Sequence, residues 1–302
     1  MDEEAVKEME EEAMKILFCY NLGFGNVIQQ IPLYLSLEKK YGKVIDSCYL
    51  IQFEGDNPSN ADCTPNPICP GVSLRDIIPT LEQYDYIIKP PYIYSNTGDY
   101  YRDHIDEMRE LDSEVARNMR IAEYLGIDTE IERKWRSKAL NVPEGYVTIH
   151  NGAQIGWERK KYDRFEELCW LIQKEGMECI SIGSPAEYVF GTTNRTGLEW
   201  RETAYLLNNT TLHVSTDTST YHLASLMEKP CVTIFTQTSI GKNWDKDFHY
   251  NAEPIQRTDL ECCPGQLQYH WSHRCASCQT PECGDIPPEE IFDIFIKKID
   301  KA

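Results

Sequence analysis

Apolar residues fall along the chain in short solid runs separated by amphipathic stretches. Lys15-Ile-Leu-Phe-Cys-Tyr20 is one such run and fits a strand buried on both faces of a parallel sheet. The turn Asn21-Leu-Gly-Phe-Gly-Asn26 follows, and then Val27, Ile28, Ile31, Leu35 and Leu37 recur at roughly helical spacing up to Tyr41-Gly42, a C-cap signal. Cys48 to Phe53 and Tyr84 to Ile88 read as further strands, Asn57 to Gly71 as a Pro- and Asn-rich loop. Asp103 to Leu125 reads as a charged amphipathic helix stopped by Gly126.

Residues 127–143 read as a connection, after which the alternation starts afresh. The strands expected are Tyr146–His150, Glu178–Ile182, Leu212–Ser215 and Pro230–Phe235. The helices between them are Tyr162–Lys174, Leu198–Leu207 and Thr218–Met227, with a Gly-Ser-Pro turn at 183–185. Strands alternating with helices imply βαβ units on parallel sheets. The expected fold is therefore α/β, two Rossmann-like domains facing a cleft, split as 1–143 and 144–302. Ligands of such sheets bind beyond the carboxyl ends of strands. That singles out the loops after Tyr20, His150, Ile182, Ser215 and Phe235.

Charge narrows the partners. The net charge is −19 and both halves are acidic, so nucleic acid is not an expected partner. Arg159, Lys160 and Lys161 form a local exception. No apolar run reaches the roughly 18 residues of a membrane span. Met1 to Glu12 is acidic and lacks the basic and apolar regions of a signal peptide, so a cytoplasmic protein is expected. In that compartment the twelve cysteines read mostly as free thiols.

Three segments at strand ends carry candidate chemistry. Ser215-Thr-Asp-Thr-Ser-Thr-Tyr-His222 follows a strand and opens a helix, which places Thr216, Asp217, Thr218 and Ser219 where backbone N–H groups seek an anion. Plain N-capping by Thr216 or Asp217 is the simpler alternative, and His222 alone reads as a packed core histidine. Asn151 to Tyr162 contains Trp157 with Arg159, Lys160 and Lys161, and these three cations beside a strand end suit a pyrophosphate or form a solvated basic turn. Ser181-Ile-Gly-Ser-Pro-Ala-Glu187 places a carboxylate where it could accept both ribose hydroxyls, or simply complement the first turn of a helix.

The order of these segments, ending in Asp217-Thr-Ser-Thr-Tyr-His-Leu-Ala224 before Lys229-Pro230 and a strand, resembles the heptosyltransferases of glycosyltransferase family 9, which have the GT-B fold. The likeness runs from about Tyr146 to Phe235, with Asp217-Thr218-Ser219 where the family has Asp-Thr-Gly. It implies an inverting transfer from a nucleotide-sugar donor to a hydroxyl of a glycan, a lipid-linked or another acceptor. It implies that Lys160 meets the donor phosphates and Glu187 the ribose. Thr216, Thr218 and Ser219 would serve the diphosphate, with Asp217 and His222 as catalytic candidates.

Asn21-Leu-Gly-Phe-Gly-Asn-Val-Ile-Gln-Gln-Ile-Pro32 is similar to the family's N-terminal motif, which makes Gly23, Gly25 and Asn26 acceptor-side residues. Where the family has an aspartate as general base, this chain has Asn26, an amide with no useful basicity. Asp99, Asp103 and His104 are substitutes to consider. No catalytic cofactor is implied. In the tail, Cys275-x-x-Cys278 has the ligand spacing of a structural zinc site, which Cys263 or Cys262 together with Cys283 would complete, near His270 and His273; free thiols are the alternative. Two other functions compete: a non-catalytic nucleotide-sugar-binding or assembly protein, and a GT-B nucleotide-sugar epimerase.

Overall fold

The computed structural model describes residues 15–20, 23–42, 45–51, 71–73, 84–90, 92–95, 113–153, 157–236, 238–260 and 282–300. The chain divides into two compact units, Met1–Leu111 with Val115–Glu132, and Asp112–Glu114 with Arg133–Ala302.

The first unit is built on a five-stranded sheet of order β3-β2-β1-β4-β5. Its strands are β1 (Ile16–Tyr20), β2 (Ile45–Ile51), β3 (Gly71–Ser73), β4 (Tyr86–Lys89) and β5 (Tyr92–Ser95). All neighbours are parallel except β4 and β5. β5 is not among the expected strands; it returns antiparallel to β4 over a turn at Pro90. Helix α1 (Phe24–Tyr41) buries Val27, Ile28, Leu33, Leu35 and Leu37, and Gly42 ends it at φ 75°. Pro32 lies inside α1 and removes one helical donor, and Asn118 of helix α2 (Glu114–Tyr124) donates to the nearby Gln29 carbonyl at 3.2 Å.

The second unit holds a six-stranded parallel sheet of order β11-β10-β9-β6-β7-β8. The strands are β6 (Tyr146–His150), β7 (Glu178–Ser181), β8 (Thr193–Asn194), β9 (Leu212–Thr216), β10 (Cys231–Phe235) and β11 (Ala252–Gln256). Helices α3 (Phe165–Lys174), α4 (Trp200–Asn209) and α5 (Ser219–Leu226) connect them, and α6 (Ile240–Asn243) and α7 (Pro288–Ile299) follow. Every residue of β6, β9 and β10 is buried, as strands covered on both faces require. β7 and β8 run outward on one side of β6, while β9, β10 and β11 run outward on the other. The strand order therefore reverses between β6 and β9, the switch point where doubly wound sheets bind ligands.

The two faces of this sheet differ. Val147, Ile149, Val214, Val232 and Ile234 pack with Phe165, Leu168 and Ile172 of α3 and Ile291 and Phe295 of α7 in one dry core. Alternation sends Thr148 and His150 of β6, His213 and Ser215 of β9 and Thr233 of β10 to the opposite face, in register across three strands. All five are buried. No helix among the described residues is long and apolar enough to cross a membrane.

Candidate functional site

Two strand ends at the switch point carry the site. β6 ends on His150, and β9 ends on Thr216, followed by Asp217. Around them the polar face of the sheet continues upward as a hydrogen-bonded network.

His150 joins three segments. Its Nε2 lies 3.1 Å from Glu187 Oε2, and its Nδ1 lies 3.0 Å from Thr218 Oγ1 and 2.7 Å from Thr220 Oγ1. Thr220, on α5, also meets Nε2 of the buried His213 at 3.1 Å. The Ser184 N–H donates to Glu187 Oε2 at 2.7 Å, and the Ala153 N–H to Oε1 at 3.2 Å. Burial would raise the Glu187 carboxyl, but the His150 bond and the Ser184 amide outweigh it and hold the group down at about 2. The pair sits between two glycines. A Cβ on Gly152 would fall 2.3 Å from His150 Nε2, and one on Gly183 2.4 Å from the same atom. Only residues without a Cβ let both loops close on this ring.

Asp217 is 1% exposed. Its Oδ2 accepts from Thr238 Oγ1 at 2.6 Å, from Asn243 Nδ2 at 2.9 Å, and pairs with Lys160 Nζ at 2.9 Å. Burying a lone carboxylate costs several kcal/mol, so the lysine and the two donors are what keep this one charged. Burial pushes the group up, while Lys160, His222 and Thr238 together hold it below the ordinary carboxylate value. Lys160 is carried by a single 3-10 turn, Glu158–Lys160, with its ammonium 5.8 Å from the Trp157 ring centre. His222 Nε2 lies 3.7 Å from Asp217 Oδ1, and burial lowers His222 to about 4, so the ring is neutral.

The structure thus brings Lys160, Glu187, Asp217, Thr218 and His222 into one connected site. Thr216 supports it from below, donating to the Gly152 carbonyl at 3.0 Å. The helix cap is neither Thr216 nor Asp217 but Thr218, and no side chain makes a cap bond there. Ser219 opens α5. In the first unit Gly23 is the N-cap of α1, its carbonyl receiving the Asn26 and Val27 N–H groups at 3.0 and 3.2 Å, and Gly25 and Asn26 lie in the first turn. Asp99, Asp103, His104, Cys262, Cys263, His270, His273, Cys275 and Cys278 lie outside the described residues. Cys283 lies within them and is buried. Among the described residues no group of three or more His, Cys, Asp or Glu side chains is placed to hold a metal ion.

Several partners are absent from the sequence expectation: His150, Thr220, Thr238, Asn243 and His249. His150 was readable as a polar residue closing an apolar strand. Thr238, Asn243 and His249 sit in a segment without hydrophobic period, where tertiary packing alone aims Thr238 and Asn243 at Asp217 and His249 at His222 Nδ1, 2.9 Å away.

The family model for glycosyltransferase family 9 (heptosyltransferase) matches residues 98–256. Among solved structures, the bacterial iron-containing dodecameric glycosyltransferase TibC from enterotoxigenic E. coli H10407 aligns with a TM-score of 0.67 at 14% identity, over 97% of this chain and 78% of its own. TibC has also been solved in complex with ADP-D-β-D-heptose. E. coli ADP-heptose LPS heptosyltransferase II gives 0.58 at 16% identity, over 96% of this chain and 100% of its own. A family 9 glycosyltransferase from Veillonella parvula DSM 2008 gives 0.63 at 13% identity, over 97% and 99%. At these identities the likeness carries the fold, which is GT-B. No curated protein sequence matches the chain.

Proposed function

The chain belongs to glycosyltransferase family 9 (heptosyltransferase), and from that premise we propose that its second unit holds the diphosphate of a nucleotide sugar and that the sugar passes, with inversion, to an acceptor hydroxyl. The observation that carries this reading is the Lys160–Asp217 pair, 2.9 Å apart at the sheet's switch point and beside the start of α5. A leaving diphosphate gains negative charge as the glycosidic bond breaks. An ammonium already fixed by a buried carboxylate, together with the first-turn N–H groups of α5, for which a helix offers no internal partner, meets that charge with little reorganisation. Glu187 serves the ribose. Its side chain is 14% exposed, and a carboxylate has about four lone-pair sites, so a hydroxyl adds to the bonds it already accepts. ADP-D-β-D-heptose, the compound bound to TibC, is the first donor to test.

Asn26 favours a second reading, a protein that binds the donor and does not turn it over, because an amide cannot take the acceptor's proton. On the catalytic reading another group acts as base and Asn26 orients the acceptor.

A thermal-shift panel of ADP, UDP, GDP and their sugar conjugates tests the proposal. A bound donor at a hundred times its Kd stabilises by about 2.7 kcal/mol, a rise in Tm of roughly 5–10 °C for a unit of this size. One conjugate should stand out from the others. A flat panel contradicts the reading. A clear shift without sugar release, across glycan and lipid-linked acceptors, selects the non-catalytic one.

A further inference from the structure

We propose that His249 is a positioning residue for Asp217: acting through His222, it fixes the tautomer that turns an N–H toward the Asp217 carboxylate. The Asp245 N–H can only donate, and it lies 2.8 Å from His249 Nδ1. That nitrogen is therefore a lone pair. Burial drives His249 well below the ordinary histidine value, so the ring is neutral and its one proton sits on Nε2. Nε2 lies 2.9 Å from His222 Nδ1. Only one proton fits between them and His249 supplies it, so His222 Nδ1 accepts. His222, also neutral, then carries its proton on Nε2, the nitrogen 3.7 Å from Asp217 Oδ1. Oδ1 is buried and has no hydrogen-bond partner, whereas Oδ2 has three polar neighbours.

The far end of this relay is firmly held. Asp245 Oδ1 accepts from the Asp247 and Phe248 N–H groups, and Oδ2 from Ser113 Oγ at 2.6 Å. Arg133 donates to the Asp247 and Phe248 carbonyls at 2.9 and 3.1 Å, and the His249 ring stacks on Tyr221 at 4.6 Å.

Resting on the donor reading above, the relay has a use. A diphosphate draws Lys160 away from Asp217, and the buried carboxylate then needs another donor. A His222 Nε2–H, less than 1 Å beyond bonding distance, supplies it at Oδ1. The opposite tautomer would present a lone pair to the charge.

The test uses the full chain labelled with ¹⁵N-histidine, with ADP as the probe. At pH 7 both His222 and His249 should show the neutral signature with the proton on Nε2. A proton on His222 Nδ1, or on both nitrogens, overturns the proposal. His249→Gln keeps an amide donor toward His222, and His249→Phe keeps a ring on Tyr221 but has no donor. ADP affinity should fall about tenfold or more in the Phe variant, the worth of one hydrogen bond to a charged group, and stay within about threefold of wild type in the Gln variant. Equal affinity in all three overturns it, as does equal loss in both. Should the Phe variant not fold, the Gln variant decides alone: His222 must keep its Nε2 proton. A correct His222 signature in a wild-type protein that binds no nucleotide refutes the donor reading and leaves the tautomer assignment standing.

Discussion

Glu187 does two things with one carboxylate. It closes the turn that begins at Ser184, and it holds His150 at 3.1 Å. Its identity was legible in the sequence as a carboxylate just past a strand end; its partner was not, because His150 lies 37 positions away and meets it only through the β6–β7 pairing. The same is true of Asp217, whose lysine was readable and whose Thr238 and Asn243 donors were not. The pH dependence follows from the sign of the Glu187 shift. Its folded-state value, about 2, lies below the ordinary 4.5. The group therefore adds stability that is fully present above about 4.5 and is lost as pH falls toward about 2. The shift is worth on the order of 3 kcal/mol at most. Glu187→Gln should destabilise by about 1–3 kcal/mol near pH 7, and the gap from wild type should shrink below pH 4.5. Urea unfolding between pH 7 and pH 3 measures this; a gap that does not change with pH removes the Glu187 carboxylate's bond to His150 from the account.

At the scale of elements, the solid apolar runs and the 3.6-residue periods located β1, β6, β9, β10, α1 and α3. Boundaries moved where side chains intervene: α3 begins at Phe165 and not Tyr162, because Asn151 Oδ1 accepts the Tyr162 N–H at 2.9 Å and its amide returns a bond to the Tyr162 carbonyl. β11 was hidden because it is an edge strand, polar and interrupted by Pro254. α7 was readable in its own residues. It has Pro288 at its start, Glu289 and Glu290 in the first turn and Lys297 and Lys298 in the last, but it follows a Cys-rich segment without period. The glycines mark where elements approach most closely. Gly152→Ala should cost about 1–3 kcal/mol by forcing His150 off Glu187, and Gly183→Ala should add backbone strain to the same clash, because Gly183 has φ 110°. Gly176→Ala is the control, since Gly176 has φ 81° but open space around its Cβ position. It should show backbone strain of about 1–2 kcal/mol with donor binding intact. Equal donor affinity in all three variants would mean that the His150–Glu187 pair does not serve the donor.

At the scale of the molecule, both sheets share one winding: the second and third strands run outward from the first, and the fourth returns to its other side. A sequence of alternating strands and helices announces that kind of sheet but not its order, which depends on which strands pair. The order matters because it sets β6 beside β9 and so brings segments 150–153, 157–160, 183–187 and 216–222 to a single switch point. The central claim is that this switch point holds a nucleotide sugar through Lys160. Calorimetric titration of ADP-D-β-D-heptose into wild type and Lys160→Ala tests it most directly. Removing Lys160 also leaves Asp217 buried without its cation, at a cost of about 3–5 kcal/mol, so the variant is titrated at a temperature where circular dichroism shows it folded. The account predicts saturable binding of one donor per chain in wild type and an affinity at least about tenfold weaker in the variant. Equal affinities, or no binding by the wild type, would contradict it.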